Sequence, residues 1–380
     1  MIAFLISELN IRGGTHKQFL RVIQYAQKMN QEFLIVTYSV DFEKTYPEFK
    51  EYSPFIYLLK DIYGKKALNL AITLLCNIFL MRKILKKVDL VNIHDGGFFY
   101  YHPALVGKKT IWQINDIPGC FGVGFSKHSN VSWRGKLLKS YILLFMPVID
   151  LITVNVTKNK LLVRQCLHRN AEVLYCGIDK LGVEIDICKT YERFDNKTIH
   201  LLTSGVLRPY RNYEVLLSVV SMLKEQGYDA YLNIIGSTSL DVEYYKKISN
   251  LIDYHKLNNN VKLCGQVDED TFIQIHQDTD LFVFMNVDQS WGLCVFEAMS
   301  CGIPVLVSKS VGATEILHEN EDAIFCDPQN AHEITAKIIS CITDREKFRY
   351  LSEKSIGFSD KYSWDKSYSQ NLFELINKML

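Results

Sequence analysis

No two of the ten cysteines form a C-x-x-C pair; they lie scattered from Cys76 to Cys341. Cys166 has His168 nearby, but no second pair follows at zinc spacing, so no zinc site is expected. Disulfide frameworks belong to small secreted chains, and 380 residues without one indicate a reducing, cytoplasmic setting. The apolar run Met1 to Ile6 has no basic lead, so a buried strand is expected there and not a signal peptide. Long hydrophobic runs are few. Ala67 to Met81 carries no charge but is short for a bilayer, and Leu137 to Val154 is broken by Lys139, Pro147 and Asp150, so no membrane span is expected. There is no biased tract to make a disordered region, and no short-period repeat. No G-x-G-x-x-G follows either opening strand, which argues against a dinucleotide dehydrogenase. Clustered Asp residues are missing, so neither a divalent metal nor another cofactor is expected. Nothing points to a nucleic-acid partner.

What is present begins with uneven charge. The whole chain is at +1, but residues 1 to 150 carry 19 Lys or Arg against 11 Asp or Glu, a balance of +8 that leaves −7 for the rest. Such a first half is expected to meet something anionic. From Ile117 to Ile149 there is no acidic residue. Within 127–145, Lys127, Arg134, Lys136 and Lys139 alternate with Trp133, Leu137, Leu138, Tyr141, Ile142, Leu144 and Phe145, and Ser132 is placed to cap a helix. That pattern suits a helix at an anionic membrane surface, with the basic run 82–87 as a second contact; the alternative is a core helix with a solvated basic end.

Along the chain, short apolar runs alternate with helical periodicity. Ile2–Ile6, Phe33–Thr37, Phe55–Leu59, Leu90–Ile93, Thr110–Ile114, Leu151–Val154 and Glu172–Tyr175 read as strands, and His16–Met29 as a helix. The pattern restarts at Ile199–Ser204 and continues through Tyr231–Ile235, Val261–Cys264, Leu281–Met285, Pro304–Val307 and Ala323–Phe325. Strand and helix in alternation imply parallel sheets. The expected fold is α/β: two doubly wound, Rossmann-like domains facing a cleft, at 1–178 and 179–363. The polar stretch Asp179 to Lys197 is read as the linker, and 364–380 as a helix free to pack back on the first domain.

One segment carries the chemistry. After the strand ending near Met285 come Asp288-Gln289-Ser290-Trp291-Gly292-Leu293-Cys294-Val295-Phe296-Glu297-Ala298-Met299, then Gly302-Ile303-Pro304-Val305. A helix starting at Gly292 aims its dipole at the carboxyl edge of a sheet, where phosphate binds. Glu297 sits a turn inside among apolar neighbours and needs hydroxyl partners. Gly205-Val206-Leu207-Arg208-Pro209-Tyr210-Arg211 brings two guanidinium groups to another strand end, as a diphosphate requires. Gly13 and Gly14 open the first helix and let phosphate approach the backbone.

These residues resemble the signature of glycosyltransferase family 4, with the GT-B fold: Gly292, Leu293, Glu297, Ala298, Met299, Gly302, Pro304 and Val305 match it. The resemblance implies a retaining transferase that moves a sugar from a nucleoside-diphosphate sugar to a glycan or lipid-linked acceptor, in cell-surface polysaccharide synthesis. Glu297 would hold the ribose, Arg211 and Arg208 the diphosphate. Gln289 takes the place of a donor-contacting Glu, with Ser290 and Trp291 beside it. Gly13, Gly14, Gly205, Gln266, Gly292 and Leu293 would line the donor site. The family's His at the reacting sugar is replaced by Asn115, with His94, at the end of the preceding strand, as a further candidate; His16 is a weaker one. A sugar-nucleotide epimerase and a catalytically silent GT-B binding subunit are the alternatives.

Overall fold

A computed structural model describes residues 1–62, 67–123, 131–287 and 291–380, with the side chains of Ala67 and Phe99 set aside. The chain forms two compact units: Met1–Gly177 together with Trp364–Leu380, and Ile178–Ser363.

The first unit is built on seven parallel strands. Edge to edge they are Ile56–Leu58, Phe33–Thr37, Ile2–Leu5, Leu90–Ile93, Lys109–Ile114, Leu151–Val154 and Glu172–Val173. Ile2–Leu5 and Leu90–Ile93 are buried at every residue, which is why they read as unbroken apolar runs: both sheet faces are covered. Chain order reverses direction between these two strands. Right-handed crossovers therefore place the helix Gly14–Lys28 on one face. The helices Ala67–Ile84, His102–Leu105, Trp133–Phe145 and Thr157–Leu167 lie on the other. Met81, Leu105, Ile142 and Val163 from those four helices share one core with Ala3, Leu5, Val36 and Val91 of the sheet.

Trp364–Leu380 completes this unit. A single π-turn, Asp365–Ser369, leads into the helix Gln370–Met379. Phe373 packs on Tyr25 at 5.2 Å between ring centroids, and Asp365 pairs with Lys28. A Cβ on Gly177 would lie 2.2 Å from the Trp364 Cα, so the two stretches of chain touch where the unit closes.

The second unit has six parallel strands in the order Val261–Gly265, Asp229–Ile235, Thr198–Ser204, Leu281–Phe284, Val305–Ser308 and Ile324–Cys326. Its reversal falls between Thr198–Ser204 and Leu281–Phe284. The stretch read as a linker is not one. It holds the helix Ile187–Asp195, capped by Asp186, and Arg193 forms a bidentate ion pair with the fully buried Asp280. Leaving that carboxylate unpaired would be costly, so the segment is fixed to the second unit.

The run Ala67–Met81 is longer as a helix than its uncharged core. It reaches Ile84, and residues 68–87 are long and apolar enough to cross a membrane by length and composition. A short parallel ribbon, Glu8–Leu9 with Ser39–Val40, was not anticipated.

Candidate active site

In an open parallel sheet, ligands bind at the carboxyl ends of the strands where chain order reverses. In the second unit that point brings Gly205, which follows Ser204, beside Phe284. The Arg211 guanidinium centre lies 5.3 Å from the ring centres of both Tyr210 and Phe284. A Cβ on Gly205 would sit 2.7 Å from the Arg211 Cζ, so only glycine lets the guanidinium lie this close to the strand end. The Gly205 carbonyl accepts from the Tyr213 hydroxyl at 2.8 Å. Arg211 Nε is buried without a hydrogen-bond partner among the described residues. Its charge is partly desolvated and held against aromatic faces, which strengthens its attraction for an anion.

Gly292 caps the eight-residue helix Leu293–Ser300 with φ +83°, and a Cβ there would press on Phe284 at 3.1 Å. Cys294, on the first turn, donates to the Ser204 carbonyl at 3.2 Å, tying the helix start to the same strand end. Burial pushes its thiol up to about 12, so it stays protonated. Glu297 is half-buried one turn on, and its charge acts on Cys294 and on the buried His276. Gly205, Arg211, Gly292, Leu293 and Glu297 are thus gathered at one strand-end cluster.

Other candidates fall differently. Arg208 is more exposed, and its guanidinium lies 3.6 Å from Asp241. Gln266 is exposed beyond Gly265, two strands from Gly205; Gly265, Gly236 and Gly205 end three neighbouring strands, linked through Gly236 N to Gly265 O and Gly205 N to Ile235 O. Trp291 does not present its ring as a donor contact should: it is 4% exposed and packs on Phe296 at 5.3 Å. Gln289 and Ser290 lie outside the described residues, as does Lys127. Sequence reasoning missed Tyr210, Gly236, Phe284 and Cys294. A glycine directly after the apolar strand Asp229–Ile235 was the available signal for Gly236.

In the first unit, Gly13 caps the helix Gly14–Lys28 without any side-chain hydrogen bond. Asp95, following the reversal strand, accepts from Ser7 N at 2.6 Å, Ser7 Oγ at 2.8 Å and Gly97 N at 2.9 Å, and burial raises its pKa despite those donors. His16 reaches the Glu8 carbonyl at 2.9 Å, and burial lowers its pKa.

Asn115, expected at the reacting sugar, is committed elsewhere. It donates to Thr15 Oγ1 at 3.1 Å and to Gln18 Oε1 at 2.9 Å, and it accepts from Gln113 Nε2 at 3.1 Å. Gln113 in turn accepts from Thr153 at 2.5 Å and from the Tyr368 hydroxyl at 3.1 Å. Both N–H donors of Asn115 hold the glycine-led helix start. His94 is a correction too. It is 1% exposed, edge-on to Phe19 at 4.9 Å, with neither ring nitrogen partnered among the described residues. Burial drops its pKa to about 3, leaving a neutral packing ring that no substrate reaches.

A cavity of about 450 Å³ near His200, Tyr231, Asn260, Lys262 and Asp278 contains none of these residues.

The family described as "Glycosyl transferases group 1" matches residues 188–357, within the second unit. An uncharacterized glycosyltransferase of Haemophilus influenzae is 22% identical over 372 residues, covering 96% of this chain and 97% of its own. Other relatives match in part. The chain spans 43% and 20% of the length of two of them, the second being the serotype-specific mannosyltransferase WbdA of Escherichia coli, 26% identical over 165 residues, or 43% of this chain. The crystal structure of Anabaena HepE in complex with UDP superposes with a TM-score of 0.78 at 16% identity, over 99% of both chains. The fold is thus that of the GT-B glycosyltransferases, and the sequence matches fall among glycosyltransferases.

Proposed function

We propose that this glycosyltransferase uses a nucleoside-diphosphate sugar, retains the anomeric configuration, and transfers to a glycan or lipid-linked acceptor in cell-surface polysaccharide synthesis. The observation that carries the donor reading is the Arg211 guanidinium, packed on Phe284 and pressed against Gly205, at the strand ends where the helix from Gly292 begins. HepE, which shares the fold, was solved with UDP, and WbdA is named a serotype-specific mannosyltransferase; the first supports a nucleotide donor and the second sugar transfer.

As the bond from the anomeric carbon to the diphosphate breaks, negative charge collects on the leaving group. Arg211 is pre-placed for that charge, with Arg208 at the edge and the helix dipole from Gly292 behind. Glu297 accepts hydroxyl hydrogen bonds from the nucleotide's ribose. The first unit takes the acceptor. No cofactor and no divalent ion takes part in this scheme. The enzyme works in the cytoplasm, at the inner face of a membrane, held by the basic runs 82–87 and 127–145.

The test is thermal unfolding in the presence of UDP-, GDP-, ADP- and CDP-sugars. A donor at about 100 times its Kd adds roughly 2.7 kcal/mol of stability, visible as a raised Tm. No shift with any of the four would overturn the donor reading.

A further inference from the structure

We infer that the helix Ala67–Ile84 enters a lipid surface: it lies in the plane of an anionic bilayer, its outer stripe among the acyl chains, with the helix Trp133–Phe145 beside it at headgroup level. This deepens the membrane reading above and is independent of the donor chemistry.

The helix Ala67–Ile84 is apolar on two faces: Leu70, Leu74, Ile78 and Met81 pack on the core, and a second apolar stripe faces outward. Leu68, Ile72, Leu75 and Phe79 are 75%, 53%, 57% and 70% exposed. Their spacing of four, three and four residues is one continuous helical stripe, about 16 Å long at 1.5 Å per residue. Two of its polar residues point inward, while Asn69 is exposed. Thr73 is buried, and Asn77 is fully buried, bonded to Lys60 N and O and to the Tyr101 hydroxyl. A helix that already packs one apolar face on its own fold, and still carries a second, exposed apolar stripe, has that outer stripe matched by lipid. Met81 and Leu85 sit in the sheet's core, so the helix cannot leave to stand across a bilayer. It lies flat.

The stripe runs directly into Arg82, Lys83 and Lys86, all exposed. The neighbouring helix repeats the design. Ser132 caps it by accepting from Gly135 N at 3.2 Å, and Trp133, Leu137 and Leu144 are 67%, 61% and 71% exposed. Arg134 lies over the Trp133 ring at 5.4 Å, and Lys136 and Lys139 point outward. Both helices clasp the same segment: Arg82 donates to the Pro103 carbonyl, and Tyr141 stacks on His102 and donates to the Tyr100 carbonyl. The two stripes therefore belong to one layer. None of the four helices on that face of the sheet carries an Asp or Glu, whereas the opposite face bears Asp365 and Glu374. Helices that expose apolar side chains and cations and carry no carboxylates are complementary to anionic lipid.

Co-sedimentation with phosphatidylcholine vesicles, with and without phosphatidylglycerol, tests this on the full chain. Binding to the anionic vesicles should exceed binding to the neutral ones and weaken with salt. The double variant Leu75→Asn with Phe79→Asn should bind the anionic vesicles roughly tenfold less, with unchanged Tm, because both side chains are exposed. Lys136→Glu with Lys139→Glu should also weaken binding. If the charge variant weakens binding and the Leu75/Phe79 variant does not, the insertion proposal is overturned and surface adsorption remains. No recovery with any vesicle overturns both. A change of the Leu75/Phe79 variant from dimer to monomer, without lipid, overturns it in favour of contact between copies of this chain.

Discussion

Arg211 and Arg208 stand three residues apart but in different surroundings. Arg211 is held between aromatic rings at the strand end, while Arg208 shares its charge with Asp241. Leaving-group charge is greatest in the transition state, so Arg211→Ala is expected to lower kcat by about 10²-fold at saturating donor. Arg208→Ala should cost less, because an exposed pair is screened. Steady-state kinetics on both variants decide the order; equal losses would refute it. Glu297→Ala should instead raise the donor KM, since a ribose contact is made in ground and transition states alike. Calorimetric titration with the nucleotide checks this, and unchanged affinity removes Glu297 from the site.

His94 yields a prediction about pH. Its folded pKa is about 3 against 6.5 unfolded, so between these values the unfolded chain binds a proton that the folded chain refuses. Stability therefore falls as pH drops below about 6.5, by about 2 kcal/mol on reaching pH 5. The variant His94→Leu should flatten that slope in urea titrations at pH 7 and pH 5. A slope unchanged by the substitution would assign the acid sensitivity to another group.

At the scale of elements, the helix Leu293–Ser300 depends on how its chain enters. Gly292 adopts φ +83° against the Phe284 ring. Gly292→Ala should cost roughly 1–2 kcal/mol for the left-handed backbone alone, and displace Phe284 from beneath Arg211, lowering kcat as well. A variant with wild-type Tm and kcat would show that the turn tolerates a side chain. The strands were legible because buried parallel strands read as unbroken apolar runs, and the helix at Gly292 because glycine and an apolar period mark its start. Other features were hidden for identifiable reasons. The helix Ile187–Asp195 looked like a linker because its anchor is an ion pair with Asp280, remote in sequence. The fates of His94 and Asn115 depend on which sheet face each side chain meets and on what covers it. The inverted burial of Leu75 and Asn77 is likewise invisible to periodicity, which records the stripe but not its direction.

At the scale of the molecule, the first unit is made from two separated stretches of chain and the second from one. Tyr368 joins them through Gln113, whose side chain leads on to Asn115 and the start of the helix at Gly14. Residues 178–363 expressed alone should fold with a cooperative melt. Residues 1–177 alone should not, because Tyr25, Gln113 and Gly177 would lose their partners. Adding a peptide of residues 364–380 should restore protection of Gln18 and Thr15 amides to hydrogen exchange. Protection in residues 1–177 without the peptide would show the last segment to be dispensable.

This division sets an order of events during synthesis. The ribosome releases the first 177 residues well before the segment that completes them, while the second unit emerges whole and can fold at once. The growing polypeptide therefore carries an unfinished, cation-rich sheet, with its outward apolar helix already formed or forming, through the translation of the whole second unit. Its first sheet stays open at Tyr25, Gln113 and Gly177 until Trp364 to Leu380 arrive to close it.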